Sequence, residues 1–254
     1  MNTEKYRILI TNDDGYASEG IKLLHDAAKV FSDDVTIIAP ADEQSGKSQA
    51  LTLSNIIRLN NIKDKEYTIS GTPADCVMVA LRKIMFDKKP TLILSGVNRG
   101  QNLGDDLNYS GTVGSAMEGA MHNIKSIAFS QVFNIHNPGI YSFAPAKKNI
   151  EAVIDRLLNT KYNNNIVMNV NFPDISESNL DISYTFQGKR DAPAHLLEER
   201  TDPRGNTYYW VGFKRGEGGT LEGSDLKAIH DGKISITPVQ PNRTDYNILS
   251  KISC

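Results

Sequence analysis

The sequence predicts an α/β protein with a Rossmann-like, mostly parallel sheet flanked by helices and a C-terminal antiparallel, β-rich extension. Two observations predict this fold class. In the first two thirds of the chain, short and continuously apolar runs alternate with segments of helical spacing, as buried parallel strands and their connecting helices do. In the last third, strand-like runs alternate with turn-rich segments instead. The 254 residues are enough to bury a core without disulfides or a structural metal.

The chain opens with a strand, a turn and a helix. Residues 6–11 form a β-branched, apolar run that ends in N-D-D-G, and Val35–Pro40 is a second apolar strand. Between them, residues 19–31 carry apolar side chains at helical spacing, namely Ile21, Leu24, Ala28 and Phe31. This order indicates buried strands of one mostly parallel sheet.

Further strands and helices continue the pattern. Strands are predicted over residues 91–95, 126–130 and 166–172, and a helix over residues 145–158. Another helix is predicted from Thr72 to about Met85. Thr72 can cap it, Pro73 suits its first position, and Asp75 complements the helix dipole.

The last third contains strand candidates over residues 181–187, 208–213 and 233–239. We therefore divide the chain into a Rossmann-like core, residues 1–180, and a C-terminal extension with β-hairpins, residues 181–254. Long irregular loops are expected at residues 41–49 and 96–111, directly after strands. Loops of that length in a compact domain are disproportionately functional.

Composition excludes several function classes. The formal net charge is −2 and 39% of residues are apolar, so global charge predicts neither bulk nucleic-acid binding nor membrane binding. Two cysteines in no metal-binding spacing indicate a reducing compartment. Without a signal-peptide core or a membrane-length apolar run, we expect a cytoplasmic protein.

Three polar clusters fall where predicted strands end, which is the edge of a parallel sheet that binds ligands. The first is Asn12-Asp13-Asp14-Gly15. Adjacent carboxylates repel each other unless they are solvated, cap a helix or bind a cation, and their hard oxygens suit Mg²⁺ or Mn²⁺. The same four residues are also ordinary turn chemistry, so this cluster alone does not decide between the two interpretations.

The second cluster, residues 42–48, follows the second strand. It has no Walker A spacing, so its G-K-S triplet is weak support for nucleotide binding, and a polar surface loop is the simplest interpretation. Its interest is that Ser45 can complete the oxygen shell of a metal.

The third cluster covers residues 95–102 and 108–115. Asn98 offers a neutral carbonyl ligand. Ser110, Gly111 and Thr112 stand where a new helix begins, so their N–H groups and hydroxyls can hold a phosphate. A glycine-rich connection with a helix cap explains this segment equally well. The five histidines lack metal-ligand spacing and no G-x-S-x-G motif occurs, which argues against a zinc site and a serine hydrolase.

Taken together, five motifs resemble the SurE survival-protein family. They are T-N-D-D-G-Y-A-S-E-G-I at residues 11–21, A-P-A-D-E-Q-S-G at 39–46, G-T-P-A-D-C-V at 71–77, S-G-V-N-R-G at 95–100 and Y-S-G-T-V-G-S-A at 109–116. The resemblance extends through R-D-A-P-A-H at 190–195 to S-I-T-P-V at 235–239, and so covers nearly the whole chain.

The resemblance implies a phosphohydrolase of nucleoside 5′- and 3′-monophosphates with one divalent metal per subunit, Mg²⁺ or Mn²⁺. It also implies a C-terminal extension exchanged between the subunits of a homodimer or homotetramer. The family's metal ligands map onto Asp13, Asp14, Ser45 and Asn98, and its phosphate contacts onto Ser110, Gly111 and Thr112. Asn12, Gly46 and Asn102, which adjoin these positions, are expected to bind substrate as well.

The expected mechanism is metal-assisted attack of water on the phosphate, with Asp13 or Asp14 as the general base. Two alternatives stay open. A non-catalytic module that binds a nucleotide or phosphate as a signal would need the same fold. A receiver-like domain begins with a similar acidic pair, but it would be about half this length and would leave the last third unexplained.

Overall fold

The computed structural model describes residues 6–132, 142–175, 177–190, 195–213 and 221–252. In chain order the first elements are β1 (Ile8–Thr11), α1 (Glu19–Lys29), β2 (Val35–Pro40), β3 (Leu59–Lys63), β4 (Glu66–Ile69), α2 (Pro73–Val79), β5 (Leu92–Arg99), α3 (Gly111–Met121) and β6 (Lys125–Gln131). The later elements are α4 (Ala144–Asn159), β7 (Val167–Phe172), β8 (Ile182–Tyr184), β9 (His195–Thr201), β10 (Thr207–Phe213), α5 (Asp225–His230), β11 (Ile234–Val239) and α6 (Tyr246–Ile252). A π-helical turn, Ala80–Ile84, continues α2, and a 3₁₀ helix, Gly104–Asn108, precedes α3.

Within the described residues, the main sheet has nine strands in the order β3-β4-β2-β1-β5-β6-β7-β11-β8. Strands β4, β2, β1, β5, β6 and β7 run parallel, whereas β3 pairs antiparallel with β4 and β11 antiparallel with β7. Strands β9 and β10 form a separate antiparallel pair. The predicted fold class is therefore confirmed.

The chain order of the strands reverses at β1. Strand β2 lies on one side of it and β5 on the other, so the crossovers leave β1 in opposite directions. Such a switch point opens a crevice at the carboxyl ends of the two strands, because the connecting loops diverge there. The segments that follow β1 and end β5 carry Asp13 and Asn98.

Helices cover both faces of the sheet. One face packs under α1 and α4, with Ile10, Leu94 and Phe129 buried in that layer. The other packs under α2, where Leu9 and Ile93 meet helix residues. Because neighbouring residues of one strand point to opposite faces, burial of both explains why the strands read as continuous apolar runs.

The structure also corrects several element predictions. Strand β5 continues to Arg99 instead of ending at residue 95, because its pairing with β6 resumes at Asn98 after a register shift. Strands β3, β4 and β9 were not predicted, and β3 is exposed along its whole length. The last third is not purely antiparallel, since β11 and β8 join the main sheet and β8 runs parallel to β11. The division at residue 180 stays a prediction.

The start of α2 is as predicted. Thr72 caps the helix by accepting a hydrogen bond from the Asp75 N–H, and Asp75 accepts one from the Thr72 N–H. Of the two cysteines, Cys76 is buried with a free thiol, and Cys254 lies outside the described residues. In the part of the chain described here, no helix has the length and apolarity that crossing a membrane requires.

Candidate active site

A small cavity of about 170 Å³ lies at the carboxyl edge of the sheet, beyond β1 and β5. Among the residues that sequence analysis singled out for the site, it is lined by Asp13, Ser45, Gly46, Asn98, Asn102 and Ser110. A larger cavity, of about 520 Å³, runs beside α3 and shares only Ser110 with the first. Its lining contains no carboxylate, so the smaller cavity holds the acidic chemistry.

Asp13 is the buried carboxylate of this cavity. Its side chain is 4% exposed and accepts a hydrogen bond from the Thr112 hydroxyl. Burial, and then the charge of Asp14, raises the pKa of Asp13 to about 7. Loss of water around a carboxylate disfavours its charged form unless a cation or further donors compensate. The protein therefore holds a carboxylate here at a cost in stability, which is common at functional sites.

Asp14 follows Asp13 in the turn after β1 but does not line the cavity. Its carboxylate accepts the Arg99 N–H at 2.9 Å, which ties the end of β5 to the turn after β1. Burial, together with the charge of Glu43, raises the pKa of Asp14, although the Arg99 N–H opposes that change. In both Asp13 and Asp14, burial therefore disfavours the charged form of the carboxyl group.

The loop after β2 brings Ser45 and Gly46 to the cavity. Gly46 has a φ of +75°, a backbone conformation that favours glycine, and this turn directs the loop back over Asp13. The Gln44 N–H donates to the Asp13 carbonyl oxygen at 2.7 Å. Ser45 donates its hydroxyl proton to Glu43 at 2.8 Å, so its oxygen keeps lone pairs for another partner.

The end of β5 supplies Asn98. Its Nδ2 donates to the Gly100 carbonyl oxygen at 2.8 Å, which leaves the Oδ1 atom as the acceptor of that side chain. Asp13, Ser45 and Asn98 therefore bring a carboxylate, a hydroxyl and an amide oxygen to one cavity, and Asp14 lies next to Asp13 in the chain. These are hard oxygen donors of the kind that Mg²⁺ and Mn²⁺ prefer.

The donor set fits one divalent cation. Among the described residues, no group of three or more His, Cys, Asp or Glu side chains is arranged to hold a metal. A cation at this edge would thus depend on two carboxylates supplemented by neutral oxygens. Mg²⁺ is compatible with such a set, because it usually keeps several waters and needs only one or two carboxylates.

The N-terminus of α3 faces Asp13. A Cβ added to Gly111 would lie 2.9 Å from the Asp13 Cβ, so the helix reaches this distance only with glycine there. Ser110 caps α3 by accepting the Val113 N–H at 3.0 Å. The first N–H groups of a helix have no intrahelical partner, and they favour an anion.

The side chains of Thr112 and Asn12 contact other residues of the protein. The Thr112 hydroxyl and backbone N–H both hydrogen-bond the Asp13 carboxylate, and Thr112 does not line the cavity. Asn12 is fully buried in the turn after β1, where its Nδ2 donates to the Gly15 carbonyl oxygen and to Ser18. That Asn12 binds substrate stays a prediction.

Asn102 lines the cavity and is held by hydrogen bonds to residues of β6 and β7. Its Nδ2 donates to the Ser130 hydroxyl at 2.8 Å, and its N–H donates to Asn171. Asn169 and Asn171, on β7, both donate to its carbonyl oxygen. This buried network of amide hydrogen bonds fixes the position of the loop after β5 relative to β6 and β7.

The predicted site set does not contain four of the lining residues, namely Arg99, Gln101, Asp106 and Tyr109. Sequence reasoning also missed that Asp75 accepts hydrogen bonds from the N–H and the hydroxyl of Thr52, at 3.1 and 2.6 Å. Together with the Thr72 hydroxyl, which donates to the Ala50 carbonyl oxygen, this contact anchors the far end of the Ser45 loop. The G-T-P-A-D motif thus holds a loop of the site in place. These contacts depend on the fold, so the sequence alone does not indicate them.

Comparison with known proteins identifies the family. The family model described as "Survival protein SurE" matches residues 8–193. The chain belongs to the SurE family. The resemblance of the five motifs is thereby confirmed.

Relatives of the SurE family match almost the full chain. A protein named 5′-nucleotidase SurE from Parvibaculum lavamentivorans is 42% identical over 243 residues, which cover 95% of this chain and 88% of the relative. Another of the same name, from Azorhizobium caulinodans, is 41% identical over 248 residues, 97% of each chain. The crystal structure of the SurE protein from Aquifex aeolicus superposes with a TM-score of 0.81 at 37% identity, covering 97% of this chain and 98% of that one.

Proposed function

We propose that this SurE-family protein is a phosphomonoesterase that hydrolyses nucleoside 5′-monophosphates, and 3′-monophosphates, to a nucleoside and inorganic phosphate. The observation that carries the proposal is the contact between the desolvated Asp13 carboxylate and the N-terminus of α3 within one cavity. Relatives with the name 5′-nucleotidase that match nearly the whole chain support the same activity.

The residues have separate roles in this proposal. Asp13, Asp14, Ser45 and Asn98 would hold one Mg²⁺ or Mn²⁺. When bound, a divalent cation neutralises charge on phosphoryl oxygens and makes water a stronger acid. The N–H group of Gly111, with Ser110 and next to Thr112, binds the phosphate at the positive end of α3. Asp13 or Asp14 accepts the proton of the attacking water.

Removal of a neutral ligand tests the metal proposal. We expect Ser45→Ala and Asn98→Ala each to raise the Mg²⁺ or Mn²⁺ concentration for half-maximal phosphate release by about tenfold or more, since each removes an oxygen donor. The exposed Ser54 and Asn55 lie outside the cavity and provide matched controls, Ser54→Ala and Asn55→Ala. An unchanged metal requirement in both ligand variants would reject this ligand set.

The sensor alternative makes a different prediction. A module that only reads a nucleotide would bind AMP without consuming it, whereas the proposed enzyme releases phosphate from a panel of nucleoside monophosphates. Chromatography of AMP and adenosine after incubation separates the two cases. Binding by calorimetry without any adenosine formed would replace the proposed function with the sensor.

We further propose that the protein is a cytoplasmic homodimer or homotetramer. Several large apolar side chains are exposed on β9, β10 and α6, namely Leu197, Tyr208, Tyr209, Trp210, Val211, Ile248, Leu249 and Ile252. Apolar exposure on this scale marks an interaction surface. We expect light scattering to give a mass of at least twice 28.1 kDa, and a monomer at micromolar concentration would contradict the proposal.

A further inference from the structure

A second carboxylate, besides that of Asp13, lies in the wall of the catalytic cavity. Asp106, in the 3₁₀ helix Gly104–Asn108, is 8% exposed and lines the cavity together with Asp13 and Ser110. A phosphate monoester is a dianion near neutral pH, so a carboxylate without a compensating charge in this wall would oppose its binding. Binding of a phosphate in this cavity therefore requires a positive charge that neutralises Asp106.

Arg190 provides the compensating charge. Its Nε donates to Asp106 Oδ1 at 3.1 Å and its Nη2 to Asp106 Oδ2 at 2.5 Å, so the guanidinium bonds both carboxylate oxygens. Arg190 is itself only 7% exposed, and therefore the pair is shielded from solvent and salt. Bidentate arginine pairs are the strongest of the charged hydrogen bonds and fix geometry as well as charge.

The chain around Arg190 is fastened to the same 3₁₀ helix. The Arg190 N–H donates to Asp105 at 3.0 Å, and Gln187 donates to the Gly104 carbonyl oxygen at 2.9 Å. The buried Asp225 accepts the N–H groups of both Gly104 and Gly188 at 2.8 Å. A segment from the last third of the chain thus holds the loop that leads to Ser110.

We propose that Arg190 is a positioning residue of the active site, which neutralises Asp106 and keeps that carboxylate from repelling the substrate phosphate. This proposal rests on the proposed function for its substrate. Arg190 is the first residue of the R-D-A-P-A-H motif, and the proposal assigns a function to that residue. The next four residues of the motif lie outside the described part of the chain.

A double-mutant cycle tests the proposal. In Arg190→Met the buried Asp106 charge is left uncompensated, and we expect KM for AMP to rise by about tenfold or more with a smaller change in kcat. Asp106→Asn removes the charge itself. We therefore expect the Arg190→Met/Asp106→Asn double variant to recover most of the lost affinity and to bind better than Arg190→Met alone.

Inorganic phosphate serves as a second probe that needs no turnover. Its dissociation constant, measured by calorimetry in the presence of Mg²⁺, should follow the same order of variants as KM. If Arg190→Met does not fold, Arg190→Lys keeps the charge without the bidentate geometry and is expected to give an intermediate affinity. Arg200→Met, which breaks the exposed Arg200–Glu198 pair, is the matched control and should behave as wild type.

The outcomes are distinct. Losses that add in the double variant, without recovery of phosphate affinity, would show that the pair only stabilises the fold and would overturn the inference. Absence of phosphate release from wild type would instead overturn the proposed function, while the phosphate affinities would still decide the role of Arg190.

Discussion

Asp13→Asn is expected to abolish phosphate release from nucleoside monophosphates, with kcat/KM reduced roughly 10³-fold or more. The amide keeps the shape of the side chain and can still accept the Thr112 hydroxyl, but it carries no negative charge for a cation. It also cannot take a proton from water. Both proposed roles of Asp13 are therefore lost by one isosteric change.

The stability of the same variant separates loss of function from loss of fold. Burial raises the pKa of Asp13 from 3.8 to about 7, so the metal-free protein loses stability as the pH rises through that range, and the full cost remains at pH 8. We expect EDTA-treated Asp13→Asn to unfold thermally at the same temperature as wild type or higher at pH 8. Retained metal-dependent turnover in this variant would mean that the reaction centre lies elsewhere.

Gly111→Ala has the second largest expected effect. The added Cβ would lie 2.9 Å from the Asp13 Cβ and 3.1 Å from its Oδ2, so the carboxylate or the helix must move. A displacement of about 1 Å at a reacting group can lower the rate about 10²-fold, and we expect kcat to fall by that order. The measurement is steady-state phosphate release at saturating metal.

Gly119→Ala is the matched control on the same helix. Its Cβ would lie 2.5 Å from Ile93 Cδ1 and 2.5 Å from the Ser126 hydroxyl oxygen, in the core below α3 and away from the cavity. We expect a loss of about 1 kcal/mol or more in the free energy of unfolding from overpacking, with kcat retained. If both variants lose the same activity and the same stability, the contact between α3 and Asp13 has no special part in catalysis.

The sequence patterns locate most of the core but not its edges. Val35–Pro40 was predicted to the residue because a strand buried on both faces is apolar throughout. Strand β3 is exposed along its length and reads as polar, so no burial pattern marks it. Strand β11 alternates like an edge strand of a hairpin, and nothing local reveals that it pairs with β7 in the main sheet.

The same limit applies to the site. Asp13, Ser45 and Asn98 follow or end predicted strands, so the rule that parallel strands bind ligands at their carboxyl ends is enough to group them in one cavity. Asp106 and Arg190 are 84 residues apart, and their contact depends on how the last third folds back over the 3₁₀ helix. The contact of the Thr112 hydroxyl with Asp13 is not visible in the sequence, because position along a helix does not fix which neighbour a hydroxyl bonds; that Thr112 binds phosphate stays a prediction.

The most direct test of metal-dependent catalysis at the acidic pair is phosphate release from AMP by protein stripped with EDTA and then supplied with Mg²⁺ or Mn²⁺. We expect no release after stripping, recovery with either added metal in wild type, and no recovery in Asp13→Asn. Undiminished release in EDTA, or equal recovery in the variant, would contradict a metal-dependent phosphatase centred on the acidic pair.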